Sequence, residues 1–232
     1  MSMPFYVSPE QVMQDKAEYA RKGIARGKPS LTLEFEGGVA LMAENPSSLM
    51  KIGEIYDRIA FAGVGKFSEF DQLRKVGVRY ADTKGYAYSR DDVRGRALAN
   101  AYSQAIGDVF TRELKPLEAE VIVAEVGDPT LVGHENNAIY RVTFDGSISD
   151  HDGYCVIGGA ADDLASYLRK EYREGLSLGD ALRLGRDALQ RAAEAQPQVT
   201  PENLEVCVLD RSQTGRKFQR LSTDTLKEHL GG

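Results

Sequence analysis

Residues 48–66 read SLMKIGEIYDRIAFAGVGK. Ile52, Ile55, Ile59 and Phe61 mark two short buried strands, and the run closes in a Gly63-Val64-Gly65 turn. Lys51 and Lys66 bracket it. A stretch that hides its apolar side chains seldom needs a cation at each end. Three roles compete for Lys51: the base of an active site, an anchor for something acidic, or a solvated strand end.

Upstream, SLTLEFEGGVALMAEN gives two more strands about Gly37-Gly38. Before them, residues 8–26 carry a helix start: Ser8 as cap, Pro9 at the first helical position and Glu10 on the N-terminal dipole. Met13, Ala17, Ala20 and Ile24 fall on one face. Downstream, helices are expected near 67–79 and 91–113. The second carries a row of Val93, Ala97, Ala101 and Ala105 beside Leu98, Tyr102, Ile106 and Phe110, and its alanines predict close packing on a neighbour. Strands return as EVIVAEV, NAIYRVTF, a turn at Asp145-Gly146 and GYCVIGG. Helices near 160–174 and 177–195, the strand LEVCVLD, a short strand in KFQRLS and a last helix, TDTLKEHL, complete the chain. Strands precede a helix pair twice over. That order predicts an α/β chain with two antiparallel sheets face to face and helices outside, in one domain spanning residues 1–232.

The bulk numbers narrow the function. The 232 residues are 42% apolar and 28% charged, with a net charge of −6 and no long basic stretch. Nucleic acid and anionic membrane are therefore not expected as partners. No apolar run approaches the ~20 residues of a membrane span. MSMPFYVSPE lacks the basic-then-apolar layout of a signal peptide, which points to a cytoplasmic protein. His134, His151 and His229 lack ligand spacing, so neither metal nor cofactor is expected. Cys155 and Cys207 read as small buried residues without a disulfide.

The details resemble a family. SPEQVMQDKAEYARKGIARG is similar to the leading helix peculiar to α subunits of the 20S proteasome core. GGVALMAENPS, KIGEIYDRIAFAGVGKFSEF and VRYADTKGYAYSRDDVRGRALANAYSQ resemble the actinobacterial form, and the likeness runs from about Phe5 to the last helix. It departs at Gln11-Val12-Met13, where archaeal and eukaryotic α subunits carry Gly-Arg-Leu. The resemblance implies the four-layer αββα sandwich of N-terminal-nucleophile hydrolases over 30–232, with an extra helix at 8–26 and a gating leader at 1–7. It also implies a heptameric α ring stacked on proteasome β subunits, and a ring-shaped AAA ATPase that docks by its C-terminal tails and delivers tagged, pupylated protein.

Catalysis in this superfamily needs a nucleophile as the first residue of the mature chain, with its own amine as base. Lys51 and Glu44 match a β-subunit lysine and aspartate. The nucleophile position falls near Lys28, however, and the nearest hydroxyls, Ser30 and Thr32, follow Pro29 and Leu31 without a Gly-Thr junction. No catalytic residue is expected. The runner-up is an active threonine or serine hydrolase after removal of the leading residues; a third reading is a free-standing scaffold of the same fold.

In α subunits the lysine matching Lys51 lines a pocket that takes the terminal carboxylate of an activator tail. An ammonium with three donors suits that task. Backbone amides at Gly65 and the neighbouring cation of Lys66 are candidates to assist. The leader residues Met3, Pro4, Phe5, Tyr6 and Val7 are expected to close the pore by mutual burial of apolar groups. Gly63–Lys66 is not a phosphate loop, since it lacks that motif's first glycine and its Ser/Thr. Asp91-Asp92 and Asp162-Asp163 read as helix N-terminal charges, and Asp150, His151 and Asp152 as a solvated hairpin turn.

Overall fold

A computed structural model describes residues 8–131, 133–192 and 198–231. The leader, residues 1–7, lies outside them. Helix α1, Pro9–Ala25, starts where its cap predicts: the Ser8 side chain accepts from the Gln11 N–H at 3.2 Å. Strands β1 (Ser30–Phe35), β2 (Gly38–Glu44), β3 (Ile52–Tyr56) and β4 (Ile59–Gly65) follow. Next come helices α2 (Phe67–Ala87) and α3 (Gly95–Arg112), then strands β5 (Ala119–Glu125), β6 (Ala138–Val142), β7 (Ile148–His151) and β8 (Tyr154–Ile157). Helices α4 (Ala161–Glu171) and α5 (Leu178–Ala192), strands β9 (Leu204–Asp210) and β10 (Phe218–Arg220), and helix α6 (Thr223–Leu230) complete the order.

Two five-stranded antiparallel sheets result, ordered β10-β9-β2-β1-β8 and β3-β4-β5-β6-β7. The facing sides share one core, including Val39, Leu41, Ala62, Ile122 and Cys207. On the outer side of the first sheet, Leu31 and Met42 pack with Leu164, Leu182 and Leu226 from α4, α5 and α6. On the outer side of the second, Phe61 and Val123 pack with Phe70, Leu98 and Tyr102 from α2 and α3. This is the helix–sheet–sheet–helix sandwich that the strand and helix order predicts. Because β2 and β5 are covered on both faces, all seven residues of each are buried.

The structure corrects five details. Gly63-Val64-Gly65 is no turn but the end of strand β4, paired with Val121, Glu120 and Ala119 of β5. Helix α2 runs to Ala87, well past residue 79, because Leu73, Gly77 and Ala81 line one face and the Tyr102 ring packs directly on Gly77. Helix α3 begins at Gly95; Asp91 and Asp92 lie in a separate 3-10 turn whose cap is Ser89. The Leu98–Tyr102–Ile106 row of α3 is the buried one, whereas Ala97 and Ala101 are half-buried and Ala105 is exposed. Finally, Asp150-His151-Asp152 is no hairpin between sheet partners. Strand β7 pairs with β6, while β8 crosses to β1 in the other sheet. Asp162 and Asp163 do lie in the first turn of α4. Cys155 and Cys207 are buried free thiols, their pKa values pushed up to about 12 by burial.

Candidate functional site

Lys51 immediately precedes β3, the edge strand of its sheet, beside β9 of the facing sheet. Its backbone carbonyl accepts from the Gly63 N–H at 3.0 Å, which ties it to β4. Its own N–H donates to Glu205 Oε2 at 2.9 Å, and the Ile52 N–H donates to Glu205 Oε1 at 3.1 Å, which ties it to β9 in the facing sheet. The ammonium donates to the Lys28 carbonyl at 2.8 Å. Among the described residues it makes no other hydrogen bond, which leaves two of its three donors for other acceptors. Partial burial lowers its pKa from 10.5 to about 8, against the pull of Glu205 and Glu44 and with help from the neighbouring Lys28 charge. The result is a half-buried cation, still charged at neutral pH and held in place by its backbone. A solvated strand end has none of these ties.

Lys28 fills the ground in front of it. Its ammonium pairs with the buried carboxylate of Glu44. Ser30 and Thr32, the nearest hydroxyls, are fully buried within β1, and their oxygens have no hydrogen-bond partner among the described residues. Thr32 stands opposite Leu41 and Cys155, in the layer between the sheets.

Gly65 and Lys66 behave differently from each other. Gly65 has φ +108°, and a methyl group there would collide with the Glu118 carbonyl oxygen across the β4–β5 pair. Glycine is required at that point by the approach of two backbones. The same place meets the end of α1, since a methyl group on Gly27 would lie 3.1 Å from the Gly65 nitrogen. Gly27 precedes Lys28, so Gly65 and the Lys51 ammonium both border the Gly27–Lys28 segment. Lys66 turns to α2: it is the N-cap residue, its side chain 53% exposed, and its ammonium lies 3.4 Å from Glu69 Oε1. A cation at a helix N-terminus opposes the dipole, and Glu69 offsets it. Lys66 is committed to that local pairing.

Glu205 and Arg220 escaped the sequence reading. Glu205 is buried and also accepts from Asn45 Nδ2 at 2.7 Å and from Arg220 at 2.6 Å, while Arg220 donates to the Ile52 carbonyl at 2.6 Å. The signal available was a lone carboxylate at the second position of the otherwise apolar LEVCVL. A charge there needs a partner.

A sandwich with a capped leading helix and a lysine at this sheet end invites comparison with known proteins. The family profile described as proteasome subunit matches residues 24–209. The proteasome subunit alpha of Kineococcus radiotolerans is 52% identical over all of this chain and 99% of its own length. Those of Thermobifida fusca and Acidothermus cellulolyticus are each 49% identical over 99% of this chain, covering 91% and 98% of theirs.

The chain belongs to the proteasome α-subunit family.

Membership of the α-subunit family implies association with other α subunits in a ring and with β subunits. Among the described residues, no helix is long and apolar enough to cross a membrane. The α1 helix is built into the body. Ala20 and Ile24 pack with Phe144, the Tyr19 hydroxyl donates to Glu118 at 3.2 Å, and Lys16 donates to the Phe110 carbonyl at 3.0 Å.

Proposed function

We propose that this chain is a non-catalytic subunit of the heptameric α ring of a cytoplasmic bacterial 20S proteasome core. It folds as one α-type domain, packs against neighbouring α subunits and stacks on β rings that carry the threonine nucleophiles. It docks the C-terminal tails of a ring-shaped AAA ATPase that delivers pupylated protein, and its leader, residues 1–7, governs admission of substrate.

The observation that supports docking best is the Lys51 ammonium: half-buried, charged at neutral pH, with two donors unpaired among the described residues. A tail carboxylate entering beside it gains charge-assisted hydrogen bonds in a partly dehydrated setting. The amide of Gly65, across the Gly27–Lys28 segment, is a further donor for the same ligand. Lys66 adds positive charge at the surface, diluted by Glu69.

Lys51→Ala in the assembled core tests this reading. Loss of one charge-assisted bond costs roughly 1.5–3 kcal/mol, about ten- to a hundredfold in affinity per pocket. Several tails engage one ring, so the loss multiplies. Peptide hydrolysis by the core should stay unchanged while ATPase-dependent protein degradation collapses. An unaltered degradation rate refutes the docking role.

A further inference from the structure

We infer that Glu205 is the positioning residue of the Lys51 site: from the facing sheet it fixes the backbone of Lys51 and holds the charge field in which the ammonium works. The inference rests on the docking role of Lys51 proposed above.

The geometry carries it. A strand normally finds its hydrogen-bond partners within its own sheet. Here the N–H groups of Lys51 and Ile52 turn out of theirs, and both end on one carboxylate of β9, at 2.9 and 3.1 Å. That carboxylate is itself held by Asn45 at 2.7 Å and by Arg220 at 2.6 Å, and Arg220 returns to the Ile52 carbonyl at 2.6 Å. Both oxygens of Glu205 are thus doubly occupied, and the closed loop Glu205–Arg220–Ile52 leaves the start of β3 one position. A buried carboxylate satisfied by four donors is pre-organised and rigid.

The titratable groups facing the Lys51 ammonium come from every element packed against it: Glu205 on β9, Glu44 on β2 and Lys28 ahead of β1, with Arg220 on β10 behind Glu205. Glu44 is committed to Lys28. Glu205 is the foremost charge that keeps the ammonium protonated despite burial. Position and charge therefore depend on the same side chain.

Glu205→Gln keeps the side chain's size, removes the charge and turns an amide NH2 toward two of the four donors. In the assembled core, the pH at which Lys51 loses its proton is read by competitive labelling of lysines with acetic anhydride. Binding of the ring ATPase from the same organism is followed across the same pH range. The Lys51 midpoint should fall by about one unit, as expected for removal of a neighbouring opposite charge. The upper pH limit of docking should fall with it. Glu205→Asp, which retains the charge but withdraws it from the two N–H groups, should shift both in the same direction by less, and it serves if the glutamine variant fails to assemble. A variant that merely loosens the fold lowers the melting temperature without moving the midpoint. An unmoved midpoint in either variant overturns the assignment of Glu205. If Lys51→Ala docks normally, the docking reading itself fails, whatever Glu205 does.

Discussion

The Lys51 ammonium and the Lys28 carbonyl are joined by a 2.8 Å hydrogen bond. The bond links a strand of one sheet to the segment that leads from α1 into the other. That segment continues from a seated helix, and the lysine faces a peptide carbonyl.

Docking should depend on pH through Lys51. Its pKa is lowered to about 8 in the folded protein, and a bound carboxylate favours the charged form. Above pH 8 the free site must take up a proton to bind, so the Kd for ATPase should rise by up to tenfold per pH unit. Below pH 8 it should be flat. Lys51→Arg keeps its charge at all these values, and its Kd should not change between pH 7 and 9. The sign for stability is opposite. Between about 8 and the unfolded value of 10.5, the unfolded chain holds the proton more tightly, so this group's contribution to stability rises with pH across that window. Binding curves and thermal melts at pH 7, 8 and 9 check both.

Gly65→Ala should disrupt the β4–β5 edge. The residue has φ +108° and abuts the Glu118 carbonyl. Backbone strain alone costs on the order of 1–3 kcal/mol, and the collision adds to it. Melting of the isolated chain should drop by several degrees. An unchanged melting temperature would show that the strands separate there without cost.

Deleting residues 2–7 should speed degradation of an unfolded protein by the α–β core. The segment carries Met3, Phe5, Tyr6 and Val7 and no charged side chain. Burying part of one such side chain is worth about 1–2 kcal/mol, enough for several copies to hold a gate that binding can open. Turnover of short peptides should change less. Rings should still assemble, since the Ser8 cap and α1 remain. Equal rates of protein degradation before and after truncation would rule out the gate.

The isolated chain should not hydrolyse fluorogenic proteasome peptides. Ser30 and Thr32 are fully buried inside β1, and α1 precedes them as a packed helix. Its intact mass should also equal that of the full sequence, apart from the initiator methionine. Activity lost on Ser30→Ala or Thr32→Ala, or a mass short of about the first 29 residues, would restore the hydrolase reading.

Local rules make much of this protein legible in its sequence. Ser8-Pro9-Glu10 set the start of α1 because capping needs only residues three apart. The strands between Ser30 and Gly65 were readable because their apolar residues are dense and glycines punctuate them. Lys51 stood out because a cation beside such a run is unusual. The rest depended on contacts distant in sequence. The carboxylate that fixes Lys51 comes from a residue 154 positions away. Strands β7 and β8, consecutive in the chain, part into different sheets, and periodicity alone cannot choose a sheet for strands of only four residues. The length of α2 was settled by aromatic rings packing on Gly77 and Gly85. The sequence by itself determined which segments are helix and strand and where a lone cation stands, since hydrophobic pattern and capping act locally. Only the tertiary structure decided what that cation faces, because two sheets had to meet before Glu205, Lys28 and Lys51 became neighbours.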